Sequence, residues 1–485
     1  MTDNEAFHVE HRGIEVVGDD ARRGRSIDLF WIWFAGNITI LGIPIGAVLV
    51  SLGLTLKEAL IIDVVGCLSF FIVGLAAISG ARAGTSTLAL SRAAFGMRGN
   101  VAMSGLSWIT LVGWETISLI VGTYALLELA NYVGIRTNDF VTVVCLLLMA
   151  VGTFSVTVLG HRTIVIVQKG CTILFGLLSA VLVGFLLSHY KASHVVVPPA
   201  TGHISTTIIL GLSIMFASTV FAWINYASDY TRYLPRQTKA RSIVWWTGIG
   251  AIIPGSILIG TGVIVGAQVG LASAANPIKA LATLIPTWLT VPLLLTAVAS
   301  QLTSNFLNSY SSGLSLQACG IKLARPKAVL LDGTISVLAG LYAVLISNFE
   351  STFTSFLSLE VVWIASWSAV YLADAFYRLR MTKLGYEAED LFKWKTGQYW
   401  YRNGYNWAAI SCWVVGSVGA FLFTNSTLWH SPLTVDWLGG ADMSVFVGFV
   451  VSGGSYLAVL TLSRRPGTEL TGELKPAVAR TPPVS

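Results

Sequence analysis

Long, nearly uncharged apolar blocks constrain this chain more than any motif does. Val141 to Gly160, Ile164 to Leu187 and Val445 to Leu462 are the clearest of them. Each approaches the ~20 residues that cross a ~30 Å hydrocarbon layer at ~1.5 Å per residue. Only helices and closed barrels can span lipid, because every backbone polar group there must find its partner within the protein. Barrel strands alternate apolar and polar residues. These blocks do not alternate, so they are read as helices. Composition agrees: 54% of the 485 residues are hydrophobic and 11% charged, against ~25% charged in soluble domains. A soluble chain this long would divide into two or three domains, each needing a charged surface that these residues cannot supply.

The expectation is an all-α polytopic membrane protein of about twelve spans, at roughly 28–53, 58–80, 101–130, 139–159, 164–187, 207–228, 243–268, 288–318, 329–347, 353–375, 407–424 and 442–462. Residues 1–27 and 463–485 are polar and are read as loosely ordered cytoplasmic tails flanking a transmembrane domain over 28–462. With the N-terminus inside, 26 of the 30 Lys and Arg fall in cytoplasmic segments, leaving Lys57, Arg136, Lys191 and Lys279 outside. That asymmetry is a positive-inside signal for a multi-pass cell (plasma or inner) membrane protein with both ends in the cytoplasm. It also accounts for the net charge of +6 without nucleic acid, since the basic residues are spread along the whole chain.

Enzyme chemistry finds no support. Cys67, Cys145, Cys171, Cys319 and Cys412 stand singly in apolar stretches, and the seven histidines lie in tails or near span ends. No metal cluster, phosphate-cradling loop or nucleophilic triad is visible.

Transport is suggested by where the helices break. Gly36, Asn37, Gly42 and Pro44 weaken span 1, and Asn225 and Asp229 interrupt the end of span 6. Unwound backbone at membrane depth survives where it lines a cavity or holds a ligand. Spans 1 and 6 open two five-helix groups, and broken helices in equivalent positions of inverted repeats point to a transporter site. Span 8 is unusually polar: Ser300, Thr303 and Ser304, at i, i+3 and i+4, share one face. Those oxygens suit either a small hard cation or interhelical hydrogen bonding. Glu115 in span 3 is the costliest residue in the hydrocarbon. It is open to three roles: an ionised acceptor for substrate, a proton carrier, or a group paired with another helix. Asp63 and Glu360 are weaker candidates, read as packing or interfacial groups.

Four segments resemble the purine–cytosine permeases, the nucleobase–cation symporters: Trp33 to Gly46; Ser91-Arg-Ala-Ala-Phe-Gly-Met-Arg-Gly99 leading into Gly113 and Trp114; Tyr226-Ala-Ser-Asp-Tyr-Thr-Arg-Tyr-Leu-Pro235; and Asn406-Trp-Ala-Ala. The resemblance implies a LeuT-type fold of two inverted five-helix repeats (about 28–187 and 207–375) plus two peripheral helices (407–462). It implies cation-coupled uptake of a flat heterocycle such as cytosine or a purine, driven by Na+ or, alternatively, H+. The implied cation ligands are the carbonyls of Ala35, Ile38 and Ser300 and the hydroxyls of Thr303 and Ser304. The implied substrate site stacks the ring between Trp114 and Phe221. Thr39, Ser118 and Ser309 stand where relatives often carry amides, Asn37, Asn305 and Asn308 offer amides nearby, and Glu115 departs from the family pattern. A hydantoin, allantoin, a vitamin precursor or an amino acid on the same fold is the alternative.

Overall fold

In the computed structural model the described residues are 6–191, 204–269, 281–346, 349–381, 385–426 and 429–463, with backbone alone over 349–359. Their order is α1 (Asp28–Asn37), α2 (Gly42–Ser51), α3 (Leu56–Leu68), α4 (Phe70–Ala83), α5 (Thr87–Phe95), α6 (Gly99–Tyr132), α7 (Asp139–Leu159), α8 (His161–His189), α9 (Ile204–Phe216), α10 (Ala240–Val269), α11 (Thr287–Ala318), α12 (Arg325–Leu345), α13 (Phe349–Phe376), α14 (Trp407–Leu422) and α15 (Ser444–Leu462). A helix lies at every expected span. Among the described residues eight helices are long and apolar enough to cross a membrane, and α1 with α2 form one further span bent by 59°. The 32-residue α11 falls outside that measure because its polar run lowers its hydropathy.

Local chemistry sets the element ends. Thr55 and Glu58 form a reciprocal capping box at the start of α3. Asn138 caps α7 through the Val141 amide. Gly84, at φ 77°, closes α4 in the left-handed region open to glycine. Span 6 leaves α-geometry after Phe216, passing through a π-turn at Ala217–Phe221 and a 3-10 turn at Ile224–Tyr226. Such wide turns disturb the hydrogen-bond ladder and recur at functional sites.

Two of the four segments that carry the family resemblance prove to be braces. In the span 6 string, Asp229 accepts the Thr87 amide (2.8 Å) and hydroxyl (2.9 Å), anchoring the start of α5. Ser228 donates to the Ala76 carbonyl and Thr231 to the Ala77 carbonyl, both in α4. Tyr230 donates to the Leu307 carbonyl of α11 at 2.8 Å. In the other string, Arg92 donates to the carbonyls of Ala318 and Leu391, both at 3.0 Å.

The N-terminal segment corrects an expectation. The sequence predicts a loose tail, yet residues 6–27 are laced across one end of the bundle. Glu10, 3% exposed, accepts from Tyr233 (2.6 Å), Tyr310 (3.1 Å) and Arg232 (3.2 Å) through Oε1, and from the His161 amide (2.6 Å) through Oε2. Arg232, fully buried, also donates to the Gly13 carbonyl, and Arg325 to the Glu10 carbonyl. Val17 and Arg22 tie the segment to Gly84 and Ala81. Buried charge is what fixes the segment: an unpaired guanidinium here is costly, so it draws in a carboxylate from the tail.

Burial opposes the Glu10 charge, but Arg325 and Arg232 outweigh it and hold the carboxyl below its ordinary 4.5. A carboxyl lowered on folding contributes stability that is present above its unfolded value and lost as pH falls through the folded one. Glu10→Ala, which leaves Arg232 unpaired, is expected to cost about 3–5 kcal/mol, and Glu10→Gln less. Thermal unfolding in detergent at pH 7 and at pH 4 checks this: the gap between parent and Glu10→Ala narrows at the lower pH.

Candidate functional site

The break in span 1 begins at Ile38, whose φ and ψ of −77° and 50° leave the helix. The last carbonyls of α1 therefore lack intrahelical donors and carry the negative end of a helix dipole. Phe34 recovers a partner in the Ile38 amide. The Ala35 carbonyl finds one in α11 instead: the Thr303 hydroxyl lies 2.8 Å from it and 3.0 Å from the Ser300 carbonyl. Three of the five expected cation ligands thus meet at one point. The Ile38 carbonyl belongs to the non-helical link, and Ser304, half-buried, follows Thr303 in α11. Gln168 of α8 donates to the Thr303 carbonyl at 2.9 Å and braces this helix. Its amide carries no sequence signal, being one polar residue in an apolar span.

The expected substrate residues divide into groups. Asn37 and Thr39 line a cavity at the span 1 break, together with Cys67, Gly255 and, from the span 6 π-turn region, Ser218 and Thr219. Thr39 accepts from Gln301 of α11 at 3.2 Å, an amide that sequence reasoning passed over. Asn308 accepts from the Tyr226 hydroxyl at 3.1 Å, joining α11 to span 6. Ser118 and Ser309 are buried, and among the described residues the Ser309 hydroxyl has no partner. Asn305 donates to the Glu115 carbonyl at 3.3 Å, while its own oxygen has no partner among the described residues.

Trp114 sits where two apolar clusters meet. One contains Val220, Phe221 and Trp363, and the other Ile38, Ile117 and Val121. Its indole N–H is directed at Glu360 of α13. Phe221 belongs to the apolar cluster that Trp114 packs against, and its ring centroid is 6.0 Å from that of Phe449 of α15.

Glu115 has partners on two other helices. Fully buried, it accepts from Ser312 of α11 (2.5 Å) and Ser336 of α12 (2.9 Å). Ser312 also contacts Asp332 at 2.9 Å, and Asp332 accepts from the Trp108 indole at 2.7 Å. Neighbouring residues on a helix point ~100° apart, so Trp114 faces α13 while Glu115 faces α11 and α12. Glu115 pins three helices together.

A span broken at mid-depth, its free carbonyl met by hydroxyls of a polar partner helix, and a second span unwound by a π-turn define a secondary transporter of LeuT-type architecture. A profile of permeases for cytosine/purines, uracil, thiamine and allantoin matches residues 16–448, and the chain belongs to that family. It is 24% identical to a putative purine-cytosine permease of Bacillus subtilis (strain 168), over 95% of this chain and 98% of that one. It is 23% identical to a purine-cytosine permease of Emericella nidulans, over 93% and 88%. Its fold matches that of Mhp1, a nucleobase-cation-symport-1 family transporter solved closed with bromovinylhydantoin bound, at a TM-score of 0.71, 15% identity and 95% coverage of both chains. The chain is therefore a membrane permease and not an enzyme.

The Glu115 geometry makes a prediction. Glu115→Leu removes the acceptor that joins Ser312 of α11 and Ser336 of α12 to α6, and is expected to lower stability in detergent by about 1–3 kcal/mol. Ligand affinity of the folded fraction should change less than threefold. A selective loss of affinity with unchanged stability would return Glu115 to the substrate site.

Proposed function

We propose that this permease takes up a nucleobase, cytosine or a purine, together with a cation, by alternating access across the cell membrane with both termini in the cytoplasm. The observation that carries this reading is the meeting of the Ala35 carbonyl, the Ser300 carbonyl and the Thr303 hydroxyl at the span 1 break. All three are hard oxygen donors of the kind that replace the hydration shell of a small cation. The names of the relatives support the nucleobase.

In this reading the cation, Na+ ahead of H+, is held by Ala35, Ile38, Ser300, Thr303 and Ser304. The ring stacks on Trp114, with Asn37, Thr39, Ser118, Asn305, Asn308 and Ser309 supplying polar groups around it. The two repeats, 28–187 and 207–375, move against each other, with 407–462 peripheral and the tails outside the membrane. Cation and ring must each favour the occluded state, or the gradient could not drive uptake. Opening the cytoplasmic end also requires the Glu10–Arg232 contacts to part.

Purified protein in liposomes tests the reading. Gradient-driven accumulation of radiolabelled cytosine or adenine, competed by a panel of nucleobases, allantoin, thiamine and hydantoins, identifies the solute. Competition by allantoin or a hydantoin, and by no nucleobase, would favour the other branch of the family.

Two variants test the parts. Thr303→Ala removes one cation ligand and is expected to raise the half-maximal cation concentration by about tenfold, on the scale of ~1.4 kcal/mol. By linkage, substrate affinity at low cation falls as well. Trp114→Ala is expected to weaken ring binding by ~1–3 kcal/mol, the scale of stacking on an aromatic side chain, with Trp114→Phe milder. Unchanged affinity in Trp114→Ala, measured by equilibrium binding in detergent, would remove Trp114 from the site.

A further inference from the structure

The nucleobase reading uses Trp114 as a platform and leaves the carboxyl beside it without a role. Glu360 lies within α13, 5% exposed. Its two oxygens share one donor, the Trp114 indole N–H, at 3.2 and 3.0 Å. One hydrogen divided between two oxygens satisfies neither, and a carboxyl has about four acceptor positions. Among the described residues Glu360 has no ion-pair partner. The polar neighbour on span 6, Tyr226, is near enough for the two groups to interact, but its hydroxyl donates to Asn308.

The contrast with Glu115 is informative. Glu115 is equally deep but has a hydroxyl at each oxygen, Ser312 at Oε1 and Ser336 at Oε2. Glu360 is short of donors, and it is short of them beside Trp114, the ring that the proposed function uses as its stacking platform. A buried acceptor of this kind carries an energetic penalty in hydrocarbon. A ligand stacked on Trp114 would bring its edge to the Glu360 carboxyl, and N–H groups on that edge would supply the missing hydrogens.

We propose that Glu360 is a specificity-determining residue that accepts a hydrogen bond from the exocyclic amino group of a ring stacked on Trp114. The site then selects amino-bearing heterocycles over oxo-bearing ones of the same shape. A carbonyl in the amino position turns a lone pair toward the carboxyl oxygens and leaves them unpaired. Sites built to hydrogen-bond a substrate group discriminate strongly against analogues that lack it, because the protein's own polar atoms are then stranded. This inference rests on the nucleobase reading and adds the edge by which the ring is read.

The experiment is competition against radiolabelled cytosine or adenine uptake in liposomes, with equilibrium binding in detergent alongside. The parent protein is expected to prefer cytosine over uracil, and adenine over hypoxanthine, by at least about tenfold. N6,N6-dimethyladenine, which keeps the ring and nitrogen but has no N–H there, should compete at least about tenfold less well than adenine. Glu360→Leu removes both acceptors and should bring each amino-to-oxo ratio to within about threefold of one. Glu360→Gln keeps one acceptor oxygen and should retain part of the preference, which also covers the case in which the leucine variant does not fold. Equal competition by adenine and its dimethyl derivative, or amino-to-oxo ratios that are the same in parent and folded variants, would overturn the proposal while leaving nucleobase transport standing. Failure of every ring to bind the parent protein would overturn both.

Discussion

The buried charge of Arg232 is the constraint on which one whole end of this bundle depends. It sits at the end of span 6 with no exposure, and its partners come from the N-terminal segment and from α11. A guanidinium in such a place must be paired, or the local structure would open to water. Pairing it recruits Glu10, which in turn collects Tyr233, Tyr310 and the start of α8. Arg325 closes the ring by donating to the carbonyls of Glu10 and Thr157. Charge at one end thus organises segments far apart in sequence, while the middle of the bundle is left to helix breaks and small polar groups.

Packing near the span 1 break shows how its halves are assigned. A Cβ at Gly46 would overlap the Ile259 carbonyl, and one at Gly262 would overlap the Ile43 carbonyl. α2 and α10 therefore approach backbone to backbone and behave as one piece. α1 also lies close against α10, where a Cβ at Gly250 would meet the Phe30 backbone, and it is tied further through Thr172 of α8 to the Trp31 carbonyl and Thr303 of α11 to the Ala35 carbonyl. The non-helical link between Asn37 and Gly42 joins the two halves. Any relative movement of those parts must be absorbed there, next to the oxygens assigned to the cation.

Much of this was legible in the residues alone, and what was not has a physical reason. Apolar blocks locate the spans because lipid permits few alternatives. The span 1 break is legible in Gly36, Asn37, Gly42 and Pro44, and the face of Ser300 and Thr303 in helical periodicity. Periodicity says which residues share a face, but not which helix that face meets. The partners of Glu115 are some 200 positions away in α11 and α12, and the pairing of Trp114 with Glu360 spans 246 positions. The π-turn at Ala217–Phe221 leaves no mark in the sequence. The tail misled for the same reason. Its polar composition resembles disorder, and nothing local announces that Glu10 has a buried arginine waiting at position 232.

The lacing of residues 6–27 has a consequence for biosynthesis. Glu10 leaves the ribosome before Arg325, which donates to its carbonyl and lies 315 positions later. At ~5–20 residues per second, that gap is roughly 15–60 s of translation. Through that interval the segment has no finished surface to dock on, and Arg232 enters the nascent bundle before α11 and α12 exist to enclose it. One end of the protein is therefore sealed only after most of the helices have been made, and a segment made before them is among the last to reach its native place.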